Sequence, residues 1–244
     1  INWINNNDKY NAKSWDFDIT SKRIISWLSN HQLTYENANK EFRLKFDHII
    51  QKQTNHLLNE IKNSNEVENK MIGCAAIILT GLAYQDDKNY LNNGLNLLKK
   101  IIKFSIDNQG FPKSRSIKQL IFYLKYFIII REWFKESQNI VPEYIDETIY
   151  YLGSSYAFIW QNINHDILFN GNYFSNNVEF DQYLKRFGYK FKNENKELAG
   201  YGILRNKKIV LAMDIGSSPS KNFSKNYQSG ALSFEIISKD KAPD

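Results

Sequence analysis

A chain of 244 residues with 42% hydrophobic side chains is long enough to bury a proper core and is not a disordered protein. Its net charge of +6 favours anionic partners, yet its lysines are scattered, which fits solvated helix faces and argues against a nucleic-acid arm. One cysteine, Cys74, and four widely spaced histidines, His31, His48, His56 and His165, exclude a disulfide framework and give no HExxH or comparable pair, so no metal or other cofactor is expected.

The first residues, INWINNNDKY, are polar and hold no apolar h-region of a secretion signal. The chain starts at Ile1 rather than Met, so the true N-terminus is expected upstream. The first clear helix is expected over Trp15–Asn30, with Asp18, Thr20 or Ser21 as capping residues and Ile24, Ile25, Trp27 and Leu28 at helical spacing. A long helix follows from Glu36 to about Lys62, where Phe42, Phe46, Ile49, Ile50, Leu57, Leu58 and Ile61 repeat with the helical period. A third runs from Asn65 through Tyr84, and its small residues Gly73, Ala75, Ala76 and Gly81 allow a close neighbour. Asp86 or Asp87 caps a fourth, whose buried side is expected to carry Leu91, Leu95, Leu98, Ile102 and Phe104.

The polar loop Asp107-Asn108-Gln109-Gly110 stops that helix, Pro112 forbids its continuation, and Ser114 or Ser116 can cap the next. This central helix, from Ser116 to about Ser137, is apolar on more than one face and is therefore surrounded by others. Its most apolar run, Leu120–Ile130, is broken by Lys125 and too short to span a bilayer, so no transmembrane segment is expected. Pro142 separates it from a helix over Glu143–Asn162. Successive antiparallel helices with short loops make either a bundle or an α/α toroid.

After His165 the pattern changes. Asn170-Gly171 reads as a turn, Asn176 or Asn177 caps a short helix through Phe187, and Gly188 ends it. LAGYGILR and KIVLAMDIG then form a β-hairpin across Asn206-Lys207, and Ala231–Ser238 supplies a third strand. The fold class is α+β, with a helical domain over residues 1–195 and a β domain from 196 to 244.

Several strings along this order resemble the heparinase II/III-like family of polysaccharide lyases: WDFDITSKRIISWL from Trp15 to Leu28, GFPKSRS before an apolar helix, LFNG from Leu168 to Gly171, and MDIGSSP followed by YQSGALSFEI. The resemblance covers roughly Trp15 to Ser238. It implies an α/α toroid followed by the first strands of an antiparallel β-sandwich, a location in the cell envelope or periplasm, and a chain that is a fragment. The implied activity is β-elimination on an acidic, uronate-containing polysaccharide. Such chemistry needs a group that takes the uronate carboxylate, a Tyr or His that removes the C5 proton, and commonly a Tyr that protonates the leaving oxygen.

The family places an Asn-His pair about where Glu68 and Asn69 fall, but no His adjoins Asn69 here. Phe111 or Pro112 stands where many members have a loop His, and the sandwich His is expected beyond Asp244. Tyr123 and Tyr126, the nearest tyrosines after the loop, read as core, as do Trp15, Trp27, Trp133 and Trp160. What remains is a polar cluster expected to bind substrate, Lys113, Ser114, Arg115 and Asn170, in which Arg115 offers a bidentate hold on a carboxylate. The partner that the resemblance implies is an acidic polysaccharide. Two rival readings are a non-catalytic relative that binds anionic glycan and a helical scaffold for a protein partner.

Overall fold

The computed structural model describes residues 2–238 apart from 65, 86, 87, 161–166, 171–176, 226, 229 and 231. Asp86, Asp87, His165, Gly171, Asn176 and Ala231 therefore lie outside the described residues. The chain divides into two compact units, Ile1–Phe104 with Ile128–Val141, and Ser105–Phe127 with Pro142–Asp244.

The first unit is helical: α1 (Asn2–Asn7), α2 (Phe17–Ser29), a π-helical turn at Gln32–Glu36, α3 (Lys40–Glu60), α4 (Val67–Ala83), α5 (Lys88–Ser105) and the later half of α6 (Ile117–Glu136). The cap of α2 is Asp16, whose carboxylate accepts from the backbone N–H of Asp18 at 3.1 Å and of Ile19 at 3.3 Å. Thr20 and Ser21, read as capping residues in the sequence, are buried in the helix body instead. Likewise α3 starts four residues later than its periodicity suggests, because Asn39 caps it by accepting from Phe42 N at 2.8 Å.

Ile24, Phe46, Ile49, Ile50, Leu57 and Ile77 are almost wholly buried and form the core that α2, α3 and α4 share. Each such side chain contributes roughly 1.5–3 kcal/mol over leaving it in water. Every residue of α4 from Met71 to Leu82 is buried, and a β-carbon at Gly73 would lie 2.4 Å from the ring of Phe17, which is the close approach its small residues permit. Cys74 is the expected small filler; burial pushes its thiol well above the usual range, and Sγ donates to Gly94 O at 3.2 Å. On α5 the buried stripe runs through Tyr90, Leu98, Ile101 and Ser105. Phe104 is 49% exposed, a correction to the expectation, because it sits about a quarter turn from that stripe.

The second unit holds the first half of α6, α7 (Glu143–Trp160), α8 (Asn177–Arg186) and a four-stranded antiparallel sheet. Its strands are β1 (Glu197–Leu198), β2 (Tyr201–Arg205), β3 (Ile209–Asp214) and β4 (Phe234–Ser238), in that spatial order. Helix α8 ends at Gly188, which has a φ of +75° and donates to Lys185 O at 3.1 Å. The β2–β3 hairpin turns at Asn206, whose side-chain oxygen accepts from the N–H groups of Lys208 and Ile209, both at 2.7 Å.

Alternation sorts the two faces of this sheet. Tyr201, Ile203, Val210, Ala212, Asp214 and Ile237 are buried, while Leu204, Ile209, Phe234 and Ile236 point outward and are exposed. The pairing places Tyr201 opposite Asp214 and Leu204 opposite Leu211, which is itself opposite Ile236. Among the described residues no helix is long and apolar enough to cross a membrane.

Candidate functional site

The loop between α5 and α6 closes on itself as a small hairpin. Asp107 N donates to Phe111 O and Lys113 N to Ser105 O, both at 2.8 Å, and the Asp107 carboxylate accepts from the N–H groups of Gln109 and Phe111 at 2.9 Å. Gly110 turns it with a φ of +76°, and a β-carbon there would fall 2.4 Å from Cβ of Tyr151 on α7. Ser116 rather than Ser114 caps α6, its Oγ accepting from Gln119 N at 3.3 Å. Ser114 instead ties the cap together: its Oγ accepts from Ser116 N at 3.2 Å and donates to the Gln119 side chain at 2.5 Å.

Arg115 is the pivot. Its backbone is in the left-handed region at a φ of +59°, a conformation that costs a non-glycine residue on the order of 1–2 kcal/mol. That conformation turns the side chain into the β-sheet region. Nε donates to Ala199 O at 3.0 Å, Nη1 to Ser217 O at 3.0 Å, and Nη2 both to Gly200 O at 2.8 Å and to the Asp214 carboxylate at 2.6 Å. Four of the five guanidinium N–H groups are thus directed at protein acceptors. The side chains of this ion pair are 9% and 1% exposed. Gly200 and Gly216 make the room, since a β-carbon on either would lie within 2.9 Å of the guanidinium.

Three further groups complete the junction. The Tyr201 hydroxyl donates to Arg115 O at 2.6 Å and accepts from the Asn170 amide, which also reaches the second Asp214 oxygen at 3.4 Å. The Tyr201 ring is 1% exposed, lies under the guanidinium at 4.8 Å and stacks on Phe169 at 5.9 Å. Burial holds this phenol far above its ordinary range, against the opposing pull of the Asn170 hydrogen bond and the Arg115 charge. It is a neutral donor at any physiological pH.

Of the four residues singled out in the sequence, Ser114, Arg115 and Asn170 are buried, and Lys113 is half-buried beside them. Arg115 and Asn170 meet through Tyr201 and Asp214, with Lys113 and Ser114 preceding Arg115 in the same loop. Tyr201, Asp214 and the two glycines were not singled out, although the strings GYG and MDIG contain them. Phe111 and Pro112, the two residues weighed for the position of a loop His, are both buried, and Phe111 packs against Tyr201 at 5.8 Å. Tyr123 is 1% exposed, and Trp15, Trp133 and Trp160 are buried, with Trp27 half-buried against Phe46.

The sheet side of this junction also carries a sequence signature. Residues 194–242 match the family model described as Heparinase II/III-like, C-terminal. Over those residues the chain is similar to that family. In fold the likeness runs further: a heparan sulfate lyase HepC mutant from Pedobacter heparinus superposes with a TM-score of 0.78 at 14% identity, over 98% of this chain and 42% of that one. Heparinase III gives 0.73 at 18% identity, over 97% and 44%. The heparinase III BT4657 gene product gives 0.74 at 15%, over 93% and 39%. At such identities the likeness is one of fold, a helical part of toroid type with an antiparallel β part. No curated protein matches in sequence. The chain thus spans about two fifths of the length of these solved structures.

Proposed function

We propose that the chain is part of a lyase that cleaves an acidic, uronate-containing polysaccharide by β-elimination in the cell envelope or periplasm. The observation that carries this reading is where the family match falls. Residues 194–242 include the sheet-side partners of Arg115, namely Ala199, Gly200, Tyr201, Asp214 and Ser217. In this reading residues 1–195 form the helical domain and 196–244 open the sandwich.

Elimination moves the C5 proton of the uronate to a base, forms the C4–C5 double bond, and breaks the C4–O bond with a proton delivered to the leaving oxygen. A cation at the uronate carboxylate makes that C5 proton more acidic. Lys113 takes that place here, being the half-buried cation of the cluster. Ser114, Arg115 and Asn170 serve substrate binding by fixing the loop that carries Lys113. Tyr201 is not the base, since its phenol is buried and its proton is donated to Arg115 O.

The test is to incubate the protein in its natural full-length form with uronate-containing glycans. Ultraviolet absorbance of new unsaturated uronate ends and retention on an acidic-glycan column are read together. Product formation, weakened by Lys113→Ala, is the expected result. Retention without unsaturated product overturns the lyase and leaves a non-catalytic glycan-binding relative. One observation favours that second reading: Phe111 or Pro112, both buried, stands where the resemblance sets a loop His. Neither retention nor product overturns both.

A further inference from the structure

The first unit contains a cavity of about 390 Å³ that the glycan reading does not use. Its apolar walls come from Leu28, Phe46, Leu79 and Trp133, and its polar focus is Asp47 on α3. Each carboxylate oxygen accepts from one tyrosine: Oδ2 from Tyr35 at 3.0 Å and Oδ1 from Tyr84 at 2.8 Å. Among the described residues no Lys, Arg or His forms an ion pair with Asp47. Arg43 is nearby but otherwise engaged, with its guanidinium 5.2 Å over the Tyr35 ring and a hydrogen bond to Glu36 O.

Two phenols supply hydrogen bonds but no positive charge. The Asp47 carboxylate is met by neutral donors, Glu136 adds a second carboxylate at the wall, and His31, also at the wall, is turned to Glu36 at 3.0 Å. Two carboxylates at one cavity disfavour an anion there. A cation is attracted by the carboxylate, and the aromatic side chains Phe46, Tyr84 and Trp133 that line the cavity suit the carbon framework of an organic cation. The volume is in the range of small-molecule pockets, and the apolar walls suit a compact carbon framework rather than a bare metal ion.

We propose that this cavity binds a protonated organic amine, with the ammonium on Asp47 and the carbon framework against Phe46 and Trp133. The amine can be carried by an amino sugar or by an alkylamine; the recognition chemistry is the same. The site lies wholly within the first unit and is independent of the lyase reading.

Calorimetric titration of the full chain tests it, using D-glucosamine and cyclohexylamine as charged probes and N-acetylglucosamine and cyclohexanol as their uncharged counterparts. The charged member of at least one pair is expected to bind about tenfold tighter than its neutral counterpart, the worth of one charge-assisted hydrogen bond. Asp47→Asn should remove that advantage. The tighter of the two amines names the source, and either order supports the proposal. Equal binding of charged and neutral probes, no binding of either amine, or an unchanged advantage in Asp47→Asn overturns it. The charged-to-neutral comparison in the unaltered chain decides the matter should the variant fail to fold.

Discussion

Two aspartates in this chain face opposite electrostatic settings. Asp214 has a guanidinium at 2.6 Å, a backbone N–H from Gly216 at 3.3 Å and the Asn170 amide at 3.4 Å, and its side chain is 1% exposed. Asp47 is half-buried, is met by two phenols, and opens on a cavity. A buried carboxylate with its counter-charge built in belongs to the framework, because taking either partner away strands a charge out of water. A carboxylate satisfied only by neutral donors at a cavity keeps its field available to a ligand. The contrast separates polar groups that hold this protein together from those that can act on something else.

The largest expected effect comes from breaking the saturated site. Arg115→Met should cost about 3–5 kcal/mol in denaturant unfolding, since Asp214 is left as an uncompensated buried charge. A loss under about 1 kcal/mol would mean that solvent reaches Asp214 and the contrast fails. Gly200→Ala should follow at about 1–3 kcal/mol. Its φ of +79° strains any side chain, and the added carbon would fall 2.7 Å from the α-carbon of Gly216 and 2.8 Å from Nη2 of Arg115.

A third outcome concerns pH. Tyr201 and Tyr84 are held protonated by burial, so their folded-state values lie above the unfolded one. The native state then binds more protons than the unfolded chain as pH rises past the unfolded tyrosine value of about 10, and stability is lost from there upward. Thermal unfolding followed from pH about 9 to about 11 should show a falling midpoint. Tyr84→Phe should flatten that fall, and an unchanged slope in the variant would contradict its assignment. Smallest of all, Asp47→Asn should shift stability by less than about 1 kcal/mol, because an amide oxygen still accepts from a phenol. A loss as large as that of Arg115→Met would put Asp47 in the framework too.

The helices were legible because their apolar residues repeat at the helical period; α3, α4, α6 and α7 fall within a few residues of their expected bounds. The hairpin was legible through Asn206 and its flanking apolar runs. Helix α1 and the two-residue β1 were not, since INWINNN has little amphipathic pattern and two residues carry none. For the site, the polar cluster around Arg115 could be found, but what the guanidinium faces could not. Three of its four hydrogen bonds go to backbone carbonyls of Ala199, Gly200 and Ser217, and a carbonyl has no letter in a sequence. Asp214 lies 99 residues from Arg115 and shares the buried face of β3 with Val210 and Ala212, where its burial depends on the pairing. Asp47 reads as one more solvated position on a helix; its two tyrosines come from positions 12 and 37 residues away.

The central claim is that Arg115 and Asp214 act as one structural pair binding the α5–α6 loop to the β-sheet. A double-mutant cycle with Arg115→Met, Asp214→Leu and the two combined, read by denaturant unfolding, tests it most directly. The account predicts that the double variant is more stable than either single loss would sum to, with a coupling of about 2 kcal/mol or more. Additive losses to within about 0.5 kcal/mol would contradict it and return Arg115 to the role of a cation available to substrate.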